Sequence, residues 1–135
     1  MRLRMHRAAH VALRGVSAAA LVCSRLLLRI SPGRLIRWAA EPSRSRLPIT
    51  PGADRLVNAL AHAVACANGS YTCLERAAAL RIIVGPLCTG ARVVIGVCRS
   101  DGSLRAHAWL ERPGASHGRG AAGEGLTPLP FTRAA

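Results

Sequence analysis

Residues 92 to 111 read RVVIGVCRSDGSLRAHAWLE, two apolar-rich runs on either side of Asp101-Gly102. Alternation at period two marks a half-buried strand, and Asp-Gly between two such runs fits the two-residue hairpin loop whose central residues take positive φ. With Asp101-Gly102 as the loop, Ser100 pairs with Ser103, and counting outward sets Gly96 opposite His107 and Val94 opposite Trp109. One face then carries Val93, Ile95, Val97, Ala106, Ala108 and Leu110, a plain core face. His107 projects from the other face, across from a residue without a side chain, where a helix could approach. A solvent-face role suits His107 poorly beside Trp109, so it is a candidate functional imidazole.

Upstream, residues 70 to 85 read SYTCLERAAALRIIVG. Thr72 and Glu75 have capping-box spacing, which predicts a helix with Cys73 at its first position. A thiol there faces unpaired backbone N–H groups and the positive end of the helix dipole, an environment that favours thiolate. The same residue also suits a buried small hydrophobe in a capped helix. A cysteine on a capped helix and a histidine in a following strand are what a Cys–His hydrolase needs: imidazole accepts the thiol proton and returns it to the leaving amine. The helix N-terminus can add amides to an oxyanion hole.

Cys23 and Cys66 fall inside predicted helices, Cys88 in a loop after Gly85-Pro86, and Cys98 near a strand end. An odd count of five, irregular spacing and no secretory signal point to reduced thiols and a cytoplasmic setting. No cysteine pair has zinc-ribbon spacing, so neither a metal nor another cofactor is expected. No phosphate-binding GxxxxGK[ST] loop occurs, which leaves ATP chemistry to another chain.

The 135 residues suit one domain and carry 19 basic against 6 acidic side chains, net +13, with every basic residue an arginine. Charge of this size raises nucleic acid as a partner, but only Trp38, Tyr71, Trp109 and Phe131 could stack on bases, and no specific nucleic-acid binding is expected. Much of the excess lies at the amino terminus. Arg4, Arg7, Arg14, Arg25 and Arg29 fall within a wedge of about 80° on a helical wheel, with Leu21 and Leu28 outside it. This amphipathic stretch reads as a solvated helix face, a docking stripe, or a peripheral membrane contact through residues 1–30. Its apolar run, Gly15 to Ser24, is ten residues, too short and too charged in its flanks for a membrane span and without a cleavage pattern. Pro32-Gly33 breaks the helix, and Arg34 to Ala40 form a further turn or two. EPSRSRLPITPG, residues 41 to 52, is a linker or long surface loop and the best boundary in the chain. It divides an Arg-rich leading region, 1–50, from a core, 51–135. Thr50-Pro51 then opens a helix running to about Ala67, with His62 on its solvated side.

CLERAAALRII and VVIGVCRSDGSLRAHAWLE together resemble the lasso-peptide leader peptidases, transglutaminase-like cysteine proteases that release the leader from a ribosomally made precursor. Cys73-Leu74, Ala77, Ala79 and Leu80 fit that family's helix motif, Ile95-Gly96-Val97 its strand, and Ala106 to Glu111 its histidine motif, with Leu110 in place of valine. The resemblance covers about residues 52 to 130. It implies an α+β fold of the transglutaminase/papain-like kind, a catalytic helix packed on a small antiparallel sheet behind amino-terminal helices. It also makes Cys73 the nucleophile and His107 the base and acid. The family places an orienting carboxylate about a dozen residues after the histidine, where this chain has Arg119. Glu124 fills that role if about five residues are inserted before it. Glu111, two pleats from His107 on the same strand, is the alternative.

The resemblance further implies a precursor peptide as substrate, a separate leader-recognition protein, since residues 1 to 50 carry no strand signals, and an ATP-dependent lasso cyclase that takes the core peptide. A non-catalytic scaffold of the same maturation complex, or a basic peptide- or membrane-binding protein, is the competing expectation.

Overall fold

The structure is a computed structural model describing residues 2–48, 50–120 and 124–130, with side chains from residue 5 onward. Four helices precede a small sheet: α1 (Arg2–Ile30), α2 (Pro32–Ala40), α3 (Pro51–Ala65), α4 (Cys73–Val84), β1 (Arg92–Ser100), β2 (Ser103–Arg112), β3 (Ala115–His117) and β4 (Thr127–Pro128). The sheet is antiparallel in the order β3-β2-β1-β4. This is the expected α+β architecture.

The hairpin has the register that its turn dictates: Ser100 faces Ser103, Gly96 faces His107 and Val94 faces Trp109. Asp101 and Gly102 both take positive φ, 50° and 76°, as a two-residue loop matched to strand twist requires. On the helix-facing side Val93, Ala108 and Leu110 are buried in one apolar cluster with Ala77 and Leu80 of α4 and Val57 and Val64 of α3. On the other side no helix approaches Gly96. Trp109 and the tail residue Leu126 cover it instead, with Val94, in a second small cluster. A Cβ on Gly96 would stand 2.8 Å from both Leu126 and Trp109, so the missing side chain makes room for the indole.

The leading region shares the main core. Ala20, Leu21 and Ala39 belong to the same cluster as α4 and the sheet. The proline-rich loop is stitched down rather than free: buried Ser43 accepts from Gly90, donates its amide to Ala91, and bonds Cys88 and Ala91 through its hydroxyl. α3 begins as the sequence indicates, with the Thr50 hydroxyl accepting the Ala53 amide.

α1 ends just before Pro32, as expected, but its apolar stretch is longer than the ten residues expected. The helix runs on through Arg25 and Arg29 by way of Leu26, Leu27, Leu28 and Ile30, so Met5–Ile30 is long and apolar enough, by length and composition, to cross a membrane. Ser17, Ala20, Leu21 and Ser24 nevertheless pack into the fold, while Met5, Val11, Val16, Leu26 and Ile30 face outward.

Candidate active site

The start of α4 presents a thiol. The Thr72 hydroxyl accepts the Glu75 amide at 3.2 Å and the Glu75 carboxylate accepts the Thr72 amide at 2.8 Å, completing the capping box. Cys73 is the first residue of the helix and half-buried. The Cys73 and Leu74 amides have no acceptor among the described residues, so they remain available as donors at the positive end of the helix dipole.

Two arginines hold this helix end. From α1, Arg25 Nε meets Glu75 Oε1 at 3.0 Å, Nη2 donates to the Ser70 carbonyl at 2.6 Å, and the guanidinium lies 4.1 Å above the Tyr71 ring. The neighbouring Ser24 hydroxyl donates to the Glu75 carbonyl at 2.9 Å. Arg76 reaches back to cap α3, donating to the carbonyls of Val64, Ala65 and Ala67. Arg25 therefore does not belong to a free arginine stripe, although the wheel groups it with Arg7, Arg14 and Arg29. Its cationic end is turned onto the cap of α4.

His107 lies on β2. Its Nε2 sits 2.7 Å from the Gly118 carbonyl oxygen. A carbonyl only accepts, so Nε2 carries the proton and, in the neutral ring, Nδ1 carries the lone pair. The ring runs nearly parallel to Trp109, 22° between planes with centroids 6.2 Å apart. Cys73 and His107 line one cavity of about 350 Å³, together with Arg76, Asn58, Trp109 and His117.

Neither carboxylate reaches His107. Glu124 is exposed, lies outside this cavity, and makes no hydrogen bond or ion pair among the described residues. Residues 121–123, just before it, lie outside the described residues. Glu111 accepts the Trp109 indole N–H at 3.1 Å and pairs with Arg92 at 3.2 Å. Arg119, at the family's acid position, lies 5.4 Å from the Trp109 ring. The Gly118 carbonyl occupies the orienting place, and no side-chain pattern signals a backbone oxygen.

His117 is the site residue that the sequence reading missed. Arg112 Nε donates to its Nε2 at 2.9 Å, while Arg112 is itself held by Asp54 at 2.7 Å and Asn58 at 3.2 Å, tying the end of β2 to α3. Burial, and then the Arg112 charge, hold its imidazole below the ordinary 6.5, with Asp54 opposing. The Arg25 hydrogen bond holds the Glu75 carboxyl below the ordinary 4.5 against an opposing desolvation, with the Thr72 amide adding to it.

Both shifts act in the same direction on stability. Each group takes up its proton more readily when unfolded, so stability is present above the unfolded value and is lost as pH falls through the folded one. Acidification is expected to weaken the fold in two stages, the first below about 6.5 through His117 and the second below about 4.5 through Glu75. Thermal melts across pH should show the first stage removed by His117→Gln and the second by Glu75→Gln; unchanged profiles would contradict these assignments.

A model of the transglutaminase-like superfamily matches residues 17–129, from the middle of α1 to the end of the sheet. The chain belongs to the transglutaminase-like superfamily. No curated protein and no solved structure shows a significant match to it. The superfamily match takes in α1 from Ser17 onward and therefore includes Ser24 and Arg25, the α1 residues that bond the cap of α4.

Proposed function

We propose that the chain is a cysteine peptidase that removes the leader from a ribosomally made lasso precursor. The observation carrying this reading is that Cys73, at the amino end of α4, and His107, with Nδ1 left as acceptor, line one cavity. In the first step His107 Nδ1 takes the Cys73 proton as sulfur attacks the scissile carbonyl carbon. The Cys73 and Leu74 amides receive the oxyanion. As the C–N bond breaks, His107 returns the proton to the leaving amine of the core peptide. Water then attacks the thioester, giving its proton to His107, and the leader leaves as a free acid while the thiol re-forms.

The lasso assignment rests on the AHAWLE and CLERAAAL motifs. With it go a separate leader-recognition protein and an ATP-dependent cyclase as partners. In a mixture of precursor and recognition protein, Cys73→Ala is expected to abolish leader release while the melting transition is kept. Release that persists would sink the peptidase reading and favour a scaffold.

The outward face of α1, with Met5, Val11, Val16, Leu26 and Ile30 exposed beside Arg7, Arg14 and Arg29, supports peripheral contact with an anionic membrane as well. Co-sedimentation with anionic vesicles should be lost in a Leu26→Glu/Ile30→Glu chain; no sedimentation of the unaltered chain would rule this contact out.

A further inference from the structure

A second cavity, about 570 Å³, opens between α1 and α3. It lies against the Cys73 cavity, because His62 lines both. Its walls are apolar over much of their extent, with Leu13 and the fully buried Leu21 from α1 and Ala63 and Ala67 from the α3 side. His10 and Arg14 supply polar groups. Arg14 is exposed and makes no ion pair among the described residues, whereas Arg25, in the same wedge of α1, is paired with Glu75.

We infer that this cavity is a substrate subsite, in which a peptide running on from the Cys73 cavity past His62 buries an apolar side chain and sets an acidic one against Arg14. The inference rests on the peptidase reading for the identity of the occupant as a peptide. Its volume lies within the range of cavities that enclose small ligands, about 300–1,000 Å³. Charge argues for the acidic neighbour: a basic segment would meet Arg14 on a chain of net +13, with no carboxylate among the residues that line the cavity. The same repulsion disfavours a second copy of this chain as occupant. His62 belongs to the walls of both cavities, so a peptide that leaves the subsite over this residue runs toward Cys73. The subsite would therefore govern which peptides are held, not how fast the held bond is broken.

The probes are short fluorescein-labelled peptides carrying one leucine and one glutamate at varied separations, and the same set with lysine for glutamate. Anisotropy with the Cys73→Ala chain reads binding without cleavage. The glutamate set is expected to bind about fivefold tighter than the lysine set, the size of a favourable exposed ion pair. Arg14→Glu should reverse that order, and Ala63→Trp, which fills the cavity, should weaken both sets. Equal binding of both sets, or an order that Arg14→Glu leaves unchanged, would overturn the inference. In the cleaving chain Arg14→Glu should raise KM for the glutamate peptides and leave kcat alone. If charge reversal is seen in binding but no peptide is ever cleaved, the peptidase reading fails and the subsite stands. If peptides are cleaved with KM indifferent to Arg14 and Ala63, the subsite fails and the peptidase reading stands.

Discussion

His107→Ala is expected to lower peptide-bond hydrolysis by at least about 10²–10⁴-fold, the usual contribution of a positioned proton-transfer group. Two other imidazoles line the described part of the cavity, but His62 lies against Cys66, its Nε2 3.6 Å from Sγ. His117 lines it too, but its Nε2 already accepts the Arg112 N–H. The loss should fall on kcat and leave the fold intact, since His107 lies outside both apolar clusters and its one hydrogen bond among the described residues is to the Gly118 carbonyl. Glu124→Gln should cost far less than His107→Ala. An exposed carboxylate with no hydrogen bond among the described residues cannot fix the ring, and the Gly118 oxygen selects the tautomer instead. Steady-state cleavage by the two variants checks both statements. A Glu124→Gln loss equal to that of His107→Ala would restore the glutamate to the catalytic group.

Trp109→Ala is expected to produce the largest loss of stability of any single change considered, about 3–5 kcal/mol. Trp109 is the largest fully buried side chain, 1% exposed, and with Val94 and Leu126 it forms the whole second cluster. Its removal empties the space that Gly96 leaves for the ring and strips Glu111 of an indole N–H donor. Against a typical domain stability of about 5–15 kcal/mol, such a loss brings the chain near its unfolding threshold. Trp109→Phe refills much of the volume and should recover most of the loss, separating packing from the indole hydrogen bond. Urea titrations of the three proteins give the comparison. A Trp109→Ala midpoint close to that of the unaltered chain would mean that the outer face of the sheet contributes little.

The hairpin was legible because a two-residue turn leaves a single register, and each pairing from Ser100–Ser103 to Val94–Trp109 follows by counting. The α4 cap was legible for a similar reason: Thr72 and Glu75 act over three residues, within the reach of local sequence. What escaped depends on distance along the chain. Arg25 shares a wheel wedge with four other arginines, and nothing local to α1 tells that it meets Glu75 fifty residues later. The Gly96 gap pointed correctly to a close approach, but the approaching groups are an indole two residues past His107 on the facing strand and Leu126 from the tail, not a helix. Gly118 acts through its backbone oxygen, which every residue type has, so composition and motif are blind to it. His117 was hidden by its setting in a Gly/Ala stretch that resembles plain loop, while its role depends on Arg112 and, through it, Asp54 from another element.

The central claim is that Cys73 is the reactive thiol, and exposure gives it a demanding test. Cys23 and Cys66 are exposed, Cys73 and Cys98 are half-buried, and Cys88 is buried. If access alone set reactivity, Cys23 and Cys66 would alkylate first. Iodoacetamide labelling of the folded chain at neutral pH, followed by peptide mass spectrometry, ranks all five thiols at once. The helix end and His107 predict that Cys73 alkylates fastest despite its lower exposure, and that His107→Ala removes this lead. Cys73 labelling no faster than Cys23 and Cys66, with or without His107, would contradict the assignment of this cavity as a cysteine-peptidase site.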